Sequence, residues 1–185
     1  MVILVTGAAG YIGSVLVPQL LNRGSSVLAL DNFMYQQSSL LECGRDKRLT
    51  LIRGDARDQD LMREQLKKAD VIFPLACLTG NPLCGKDPAG AETTNLDAVN
   101  LLLRLRAKGQ RIIFPTTNSG YGVGENGVLC DERSPLRPVS LYGRLKVEAE
   151  HAVLDAGNAI TLRLATVFGM SPRMRFDLLV NDFVC

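Results

Sequence analysis

Apolar residues fall in short unbroken runs separated by segments of helical period. Val2 to Val5, Val27 to Leu30, Leu49 to Ile52, Val71 to Leu75, Ile112 to Phe114 and Ile160 to Leu164 have strand length. As a set they are continuous rather than alternating in polarity, as expected when a parallel sheet is covered on both faces. Between them the period predicts helices over 11–22, 58–68, 92–108 and 141–156. Asp58 suits an N-cap, and Gly24 and Gly109 suit C-terminal stops. Pro18 falls inside the first helix, where it removes a bond to the Ser14 carbonyl and should bend the axis. Thr79 to Gly90, with two prolines and three glycines, reads as a loop. Strand and helix in regular alternation imply βαβ units with right-handed crossovers, hence an α/β, doubly wound parallel sheet.

Composition narrows the class. A chain of 185 residues holds one well-packed domain, and 46% hydrophobic with 22% charged residues is an ordinary globular balance. Twenty-one basic against 19 acidic side chains give +2, too little to imply nucleic acid or an anionic membrane as partner. The local run Arg104, Arg106, Lys108, Arg111 reads as a solvated helix end, where cations are favoured. Five cysteines (Cys43, Cys77, Cys84, Cys130, Cys185) without a C-x-x-C pair suggest free thiols in a reducing compartment, the cytoplasm by default. The apolar N-terminus is too short and lacks the basic region of a signal peptide, and no segment has bilayer-spanning length.

The strongest chemical signal is Gly7-Ala8-Ala9-Gly10-Tyr11-Ile12-Gly13, placed where the first strand ends and the first helix opens. Glycines there permit a sharp turn, close approach to a pyrophosphate and tight helix–strand packing. The helix N-terminus adds unpaired N–H groups and a positive dipole end. Asp31 ends the second strand eighteen positions after Gly13, where a carboxylate can accept both ribose hydroxyls of an adenosine and repel a 2′-phosphate. No Arg or Lys lies between Asn32 and Gly44, so NAD rather than NADP is expected. Gly54-Asp55 follows the third strand, its carboxylate placed for an adenine amino group. Tyr142 and Lys146 sit four apart on one helix face, where an ammonium beside a phenol favours the phenolate and makes a general acid/base.

These motifs, with Leu75-Ala76, Thr116-Thr117, Tyr121-Gly122, Tyr142-Gly-Arg-Leu-Lys146 and Arg163-Leu-Ala-Thr-Val-Phe-Gly169, resemble the extended short-chain dehydrogenase/reductases. The nucleotide-sugar epimerase and dehydratase branch is the nearest likeness, and it runs over essentially the whole chain. The resemblance implies a Rossmann-type NAD-binding domain over 1–170 that carries the catalytic residues, and over 171–185 the start of a truncated substrate-binding region. It assigns Gly7, Gly10, Tyr11, Ile12, Gly13, Asp31, Asn32, Asp55, Ala56, Leu75 and Ala76 to NAD, together with Tyr142 and Lys146. It makes Thr117, Tyr142 and Lys146 catalytic: Thr117 bonds the reacting sugar oxygen, Tyr142 exchanges its proton, and Lys146 binds the nicotinamide ribose and tunes Tyr142. It also implies a homodimer through the helices of 92–108 and 141–156.

Departures from the family pattern bear on the reaction. The 4,6-dehydratases carry Asp-Glu directly after the catalytic threonine, where this chain has Asn118 and Ser119. Decarboxylases carry Glu at the place of Ser119, and the GDP-mannose 3,5-epimerases a cysteine in this strand-end motif. A 4-epimerase-like or ketoreductase-like reaction on a nucleotide sugar is left in front. An NAD-dependent dehydrogenase of a non-sugar alcohol and a non-catalytic NAD-binding module stay open. Gly120, Cys77 and Thr166 replace a usual valine, alanine and asparagine. His151, the lone histidine, reads as a solvated helix residue without metal-ligand spacing, and Cys84 as structural. Arg173 and Arg175 are candidates for the sugar-nucleotide phosphates.

Overall fold

A computed structural model describes residues 1–124 and 129–184; Cys185, one of the five cysteines, lies outside the described residues. Six parallel strands form one sheet: β1 (Val2–Thr6), β2 (Ser26–Asp31), β3 (Leu49–Arg53), β4 (Val71–Pro74), β5 (Arg111–Thr117) and β6 (Ala159–Leu164). Their order is β3-β2-β1-β4-β5-β6. The chain reverses its direction of travel between β1 and β4, and in such sheets ligands bind in the crevice beyond the strand C-termini at that point.

The continuous apolar runs are explained by the side-chain period of two. Ile3, Val5, Val27 and Ala29 enter one core with Val17 and Leu21 of α1 (Gly13–Asn22). Leu4, Leu28, Leu30, Ile72 and Phe114 enter the other. There they meet α2 (Gln59–Leu66), α5 (Ala98–Leu105) and α6 (Leu141–Asp155). The outer strands keep only part of this cover: Leu51 on β3 and Ile160 and Leu162 on β6 are exposed.

Asp58 caps α2 as expected, accepting from the N–H groups of Asp60 and Leu61. Pro18 is carried inside α1, which runs on to Asn22. The segment expected to be a loop, 79–90, instead holds α3 (Asn81–Lys86) and most of α4 (Pro88–Glu92). Both prolines stand in a first helical turn, where the missing N–H has no partner to lose, and Asp87 caps α4 by accepting from Gly90 N–H. The helix expected over 92–108 is broken up: a π-helical turn, Thr93–Asp97, precedes α5. Within the basic run, Arg106 donates to the carbonyls of Ala156 and Gly157 at the C-terminal end of α6. That is where a cation complements the helix dipole.

Candidate cofactor cradle and catalytic pair

The cradle begins where β1 ends. Gly7 takes φ +67 and its carbonyl accepts from Gly10 N–H at 3.1 Å. A Cβ on Gly7 would lie 2.6 Å from the amide nitrogen of Ala76, and one on Gly13 2.5 Å from the Ala8 carbonyl oxygen. Backbone sits in both directions, so a side chain there would force the turn open. Ile12 at the head of α1 supplies no side-chain cap. Among the described residues the N–H groups of Tyr11, Ile12 and Gly13 meet no protein acceptor. A bare helix N-terminus behind a turn that admits no Cβ fits a pyrophosphate.

Asp31 is buried at the end of β2. Its Oδ2 accepts from Ala9 N–H at 2.9 Å, while Oδ1 accepts from Phe33 N–H at 2.8 Å and Gln37 Nε2 at 3.2 Å. The carboxylate therefore joins the glycine turn to the loop that follows β2. Asn32 is exposed, its Oδ1 accepting from Met34 N–H. Asp55 follows β3 beside buried Ala56. Its two oxygens take a fork from Arg57, Nε to Oδ1 at 2.9 Å and Nη2 to Oδ2 at 2.6 Å, which holds the carboxyl below its ordinary range. Leu75 N–H donates to the Thr6 carbonyl and Ala76 N–H to Thr6 Oγ1, fastening this segment against Gly7.

The catalytic candidates converge on the same edge of the sheet. Thr117 closes β5, and its Oγ1 accepts from Ser119 N–H at 3.1 Å. Ser140 caps α6 through Gly143 N–H, setting Tyr142 and Lys146 one turn apart in the first half of that helix. Burial pushes the Tyr142 phenol well above its ordinary value, the neighbouring Cys77 and Cys84 add to this, and the Thr117 hydroxyl and Arg175 pull it back. Lys146 is buried, donates through Nζ to the Pro115 carbonyl at 2.8 Å and stands 3.9 Å from the centre of the Phe114 ring. Burial lowers its pKa. The expected lowering of the phenol by lysine is thus not a property of this chain by itself. The ammonium is turned onto a backbone carbonyl, and desolvation of the phenol outweighs the rest.

The sequence reading did not single out Asn95, Glu150, Ser171 or Asn181, and it named Cys77, Cys84, Arg163, Arg173 and Arg175 without their contacts. Asn95, in the π-helical turn, is buried and holds Leu78 by both backbone groups, Oδ1 from N–H at 2.8 Å and Nδ2 to the carbonyl at 3.0 Å. The thiols of Cys77 and Cys84 donate to that same Leu78 carbonyl. Arg175 forks onto Asp177, and its charge is felt at Tyr142. Arg173 lies 4.8 Å over the Tyr35 ring, bringing a cation to the loop after β2 from far along the chain. Ser171 and Asn181 bond Tyr11, through its carbonyl and its hydroxyl respectively. Glu150, fully buried on α6, takes Arg163 Nε at 2.8 Å. Contacts such as these join positions far apart in the chain and leave no local spacing to read; His151, by contrast, is exposed on α6 as expected. Cys43, Cys77, Cys84 and Cys130 are free thiols. No helix among the described residues is long and apolar enough to cross a membrane.

A parallel sheet of this order, with a glycine turn feeding a bare helix N-terminus and a carboxylate closing the second strand, defines a Rossmann-type dinucleotide-binding fold. The chain belongs to the NAD dependent epimerase/dehydratase family, which matches residues 3–183. It is 31% identical to a UDP-glucose 4-epimerase of Streptomyces lividans over 97% of this chain and 55% of that protein. To UDP-glucuronic acid decarboxylase 1 of Arabidopsis thaliana it is 30% identical over 98% of this chain and 43% of that one. The UDP-glucuronic acid 4-epimerase of Bacillus cereus, solved in complex with NAD, superposes with a TM-score of 0.86 at 30% identity, covering all of this chain and 61% of that one. The chain therefore spans about half the length of these relatives.

Proposed function

We propose that this chain carries the cofactor-binding and catalytic part of an NAD-dependent nucleotide-sugar epimerase, acting at a hydroxyl-bearing ring carbon. The observation that carries the reading is that Thr117 closes β5 while Tyr142 and Lys146 stand on the adjoining α6, tied to β5 by Lys146 Nζ at the Pro115 carbonyl, at the strand ends where Ala76 lies against Gly7. The N–H groups of Tyr11, Ile12 and Gly13 would receive the pyrophosphate, Asp31 the adenosine ribose, and Asp55 the adenine amino group. Asn32 and Ala56 would flank the adenosine, and Leu75 and Ala76 the nicotinamide. Lys146 would bind the second ribose. NAD, when bound, supplies a hydride acceptor and donor. Thr117 holds the reacting hydroxyl by a hydrogen bond and Tyr142 takes and returns its proton, work that contributes typically 10²–10⁴-fold.

The absence of a carboxylate at Asn118 and Ser119 favours epimerisation over the elimination or decarboxylation chemistry found among the relatives. Residues 171–185 we read as the start of a substrate-binding region, and α5 with α6 as the dimer face. Free thiols suit a reducing compartment such as the cytoplasm. The test is incubation with NAD and a panel of UDP- and dTDP-hexoses and hexuronic acids, followed by NMR of the sugar. Interconversion of two epimers without net NADH supports the reading, and loss of at least about a hundredfold in Tyr142→Phe locates the proton transfer. Steady NADH accumulation from a simple alcohol would instead establish a dehydrogenase.

A further inference from the structure

We infer that Arg57 is the positioning residue that makes the adenine end of the cofactor site selective; this rests on the reading of Asp55 as the acceptor for the adenine amino group. Three of the roughly four lone-pair sites of the Asp55 carboxylate are already taken by one residue: Oδ1 by the N–H and Nε of Arg57, both at 2.9 Å, and Oδ2 by Nη2 at 2.6 Å. The fork fixes the carboxylate plane and leaves Oδ2 one direction that Arg57 does not fill; the Asn32 side chain is the other group that bears on this carboxyl. Arg57 is itself held at its far end, Nη1 donating to Thr93 Oγ1 at 3.1 Å, and Thr93 Oγ1 in turn donating to the Gly90 carbonyl at 3.2 Å. The Asp55 acceptor is thereby braced against the π-helical turn, the element whose Asn95 holds Leu78 on the other side of the crevice. A lysine could keep the charge at this place but not the planar fork.

The experiment measures dissociation constants of the intact chain for NAD and for nicotinamide hypoxanthine dinucleotide, which carries an oxygen where adenine has its amino group. The unaltered chain is expected to prefer NAD by about tenfold or more, the worth of one hydrogen bond to a charged acceptor. Arg57→Met and Arg57→Lys are each expected to reduce that preference to about threefold or less while the melting temperature with cofactor absent moves little. Asp55→Ala should abolish it. Preference kept in both Arg57 variants but lost in Asp55→Ala overturns the positioning role and leaves the Asp55 reading standing. Preference kept in Arg57→Lys alone overturns it too, because charge rather than the fork would then suffice. No preference in the unaltered chain, or none lost in Asp55→Ala, overturns the Asp55 reading and this inference with it.

Discussion

Replacing Gly7 by alanine tests whether the cradle's shape rests on backbone proximity or merely on backbone conformation. Two costs add at this position. An L-residue at φ +67 carries roughly 1–2 kcal/mol of conformational strain. Its Cβ would also stand 2.6 Å from the Ala76 amide nitrogen and 2.8 Å from both Ala76 Cα and the Leu75 carbonyl carbon. None of these is a flexible side-chain end, so relief requires β4 and β1 to part at their C-terminal tips, about 1–3 kcal/mol more. Gly24 provides the control: φ is +84 but nothing lies within 4 Å of its Cβ, so only the strain applies. At about 2–4 °C per kcal/mol for a chain of this size, Gly24→Ala should lower the melting temperature by about 2–8 °C and Gly7→Ala by about 4–20 °C. Calorimetry on the two variants side by side checks this, with NAD titration as the second readout. Gly7→Ala should lose NAD binding, because Ala76 is what the new methyl displaces, and Gly24→Ala should retain it. Equal melting temperatures for the two variants would refute the close-approach argument.

Three further outcomes follow from buried polar contacts. Glu150→Gln leaves the Arg163 guanidinium, 16% exposed, without its carboxylate; breaking a buried pair in this way costs about 3 kcal/mol or more, measurable as a urea midpoint shift. Asn95→Ala leaves the Leu78 N–H without its acceptor and its carbonyl with thiol donors alone, and should cost about 1–3 kcal/mol in the same assay. In an ultraviolet titration of the four tyrosines, the most alkaline step should vanish in Tyr142→Phe. The fold favours the neutral phenol, so the stability Tyr142 contributes is whole below the ordinary phenol value near 10 and declines as pH climbs toward the raised one. A Tyr142→Phe chain should accordingly lose less stability between neutral and strongly alkaline pH than the parent does.

The parallel sheet was legible because buried strands must be apolar on both faces, and Val2 to Val5 and Val27 to Leu30 are so without interruption. The cradle was legible because only glycine tolerates the contacts at Gly7 and Gly13, leaving a trace at fixed spacing. Pro82 and Pro88 misled, since a proline that breaks a helix interior also begins one, and composition alone does not separate the two roles. The protonation behaviour of Tyr142 was misjudged because helical spacing reports which side chains share a face, whereas burial depends on what packs over α6 from elsewhere in the chain. Arg57 went unnoticed for a different reason. Its partner Asp55 was visible, but its anchor Thr93 is 36 positions away and meets it only through the crossover of α2 and β4.

Asp31 would carry two duties in one side chain: in the proposed reading it receives the adenosine ribose, and it is also a strut of the glycine turn through Ala9 N–H. Cofactor preference and cradle geometry are therefore not independently mutable in this chain. A substitution that merely invites a 2′-phosphate strands the Ala9 amide in a buried place, so a drift toward NADP demands a simultaneous replacement acceptor. Such two-step requirements slow evolutionary exchange of one dinucleotide for the other, and they set the terms for anyone attempting the same exchange by design.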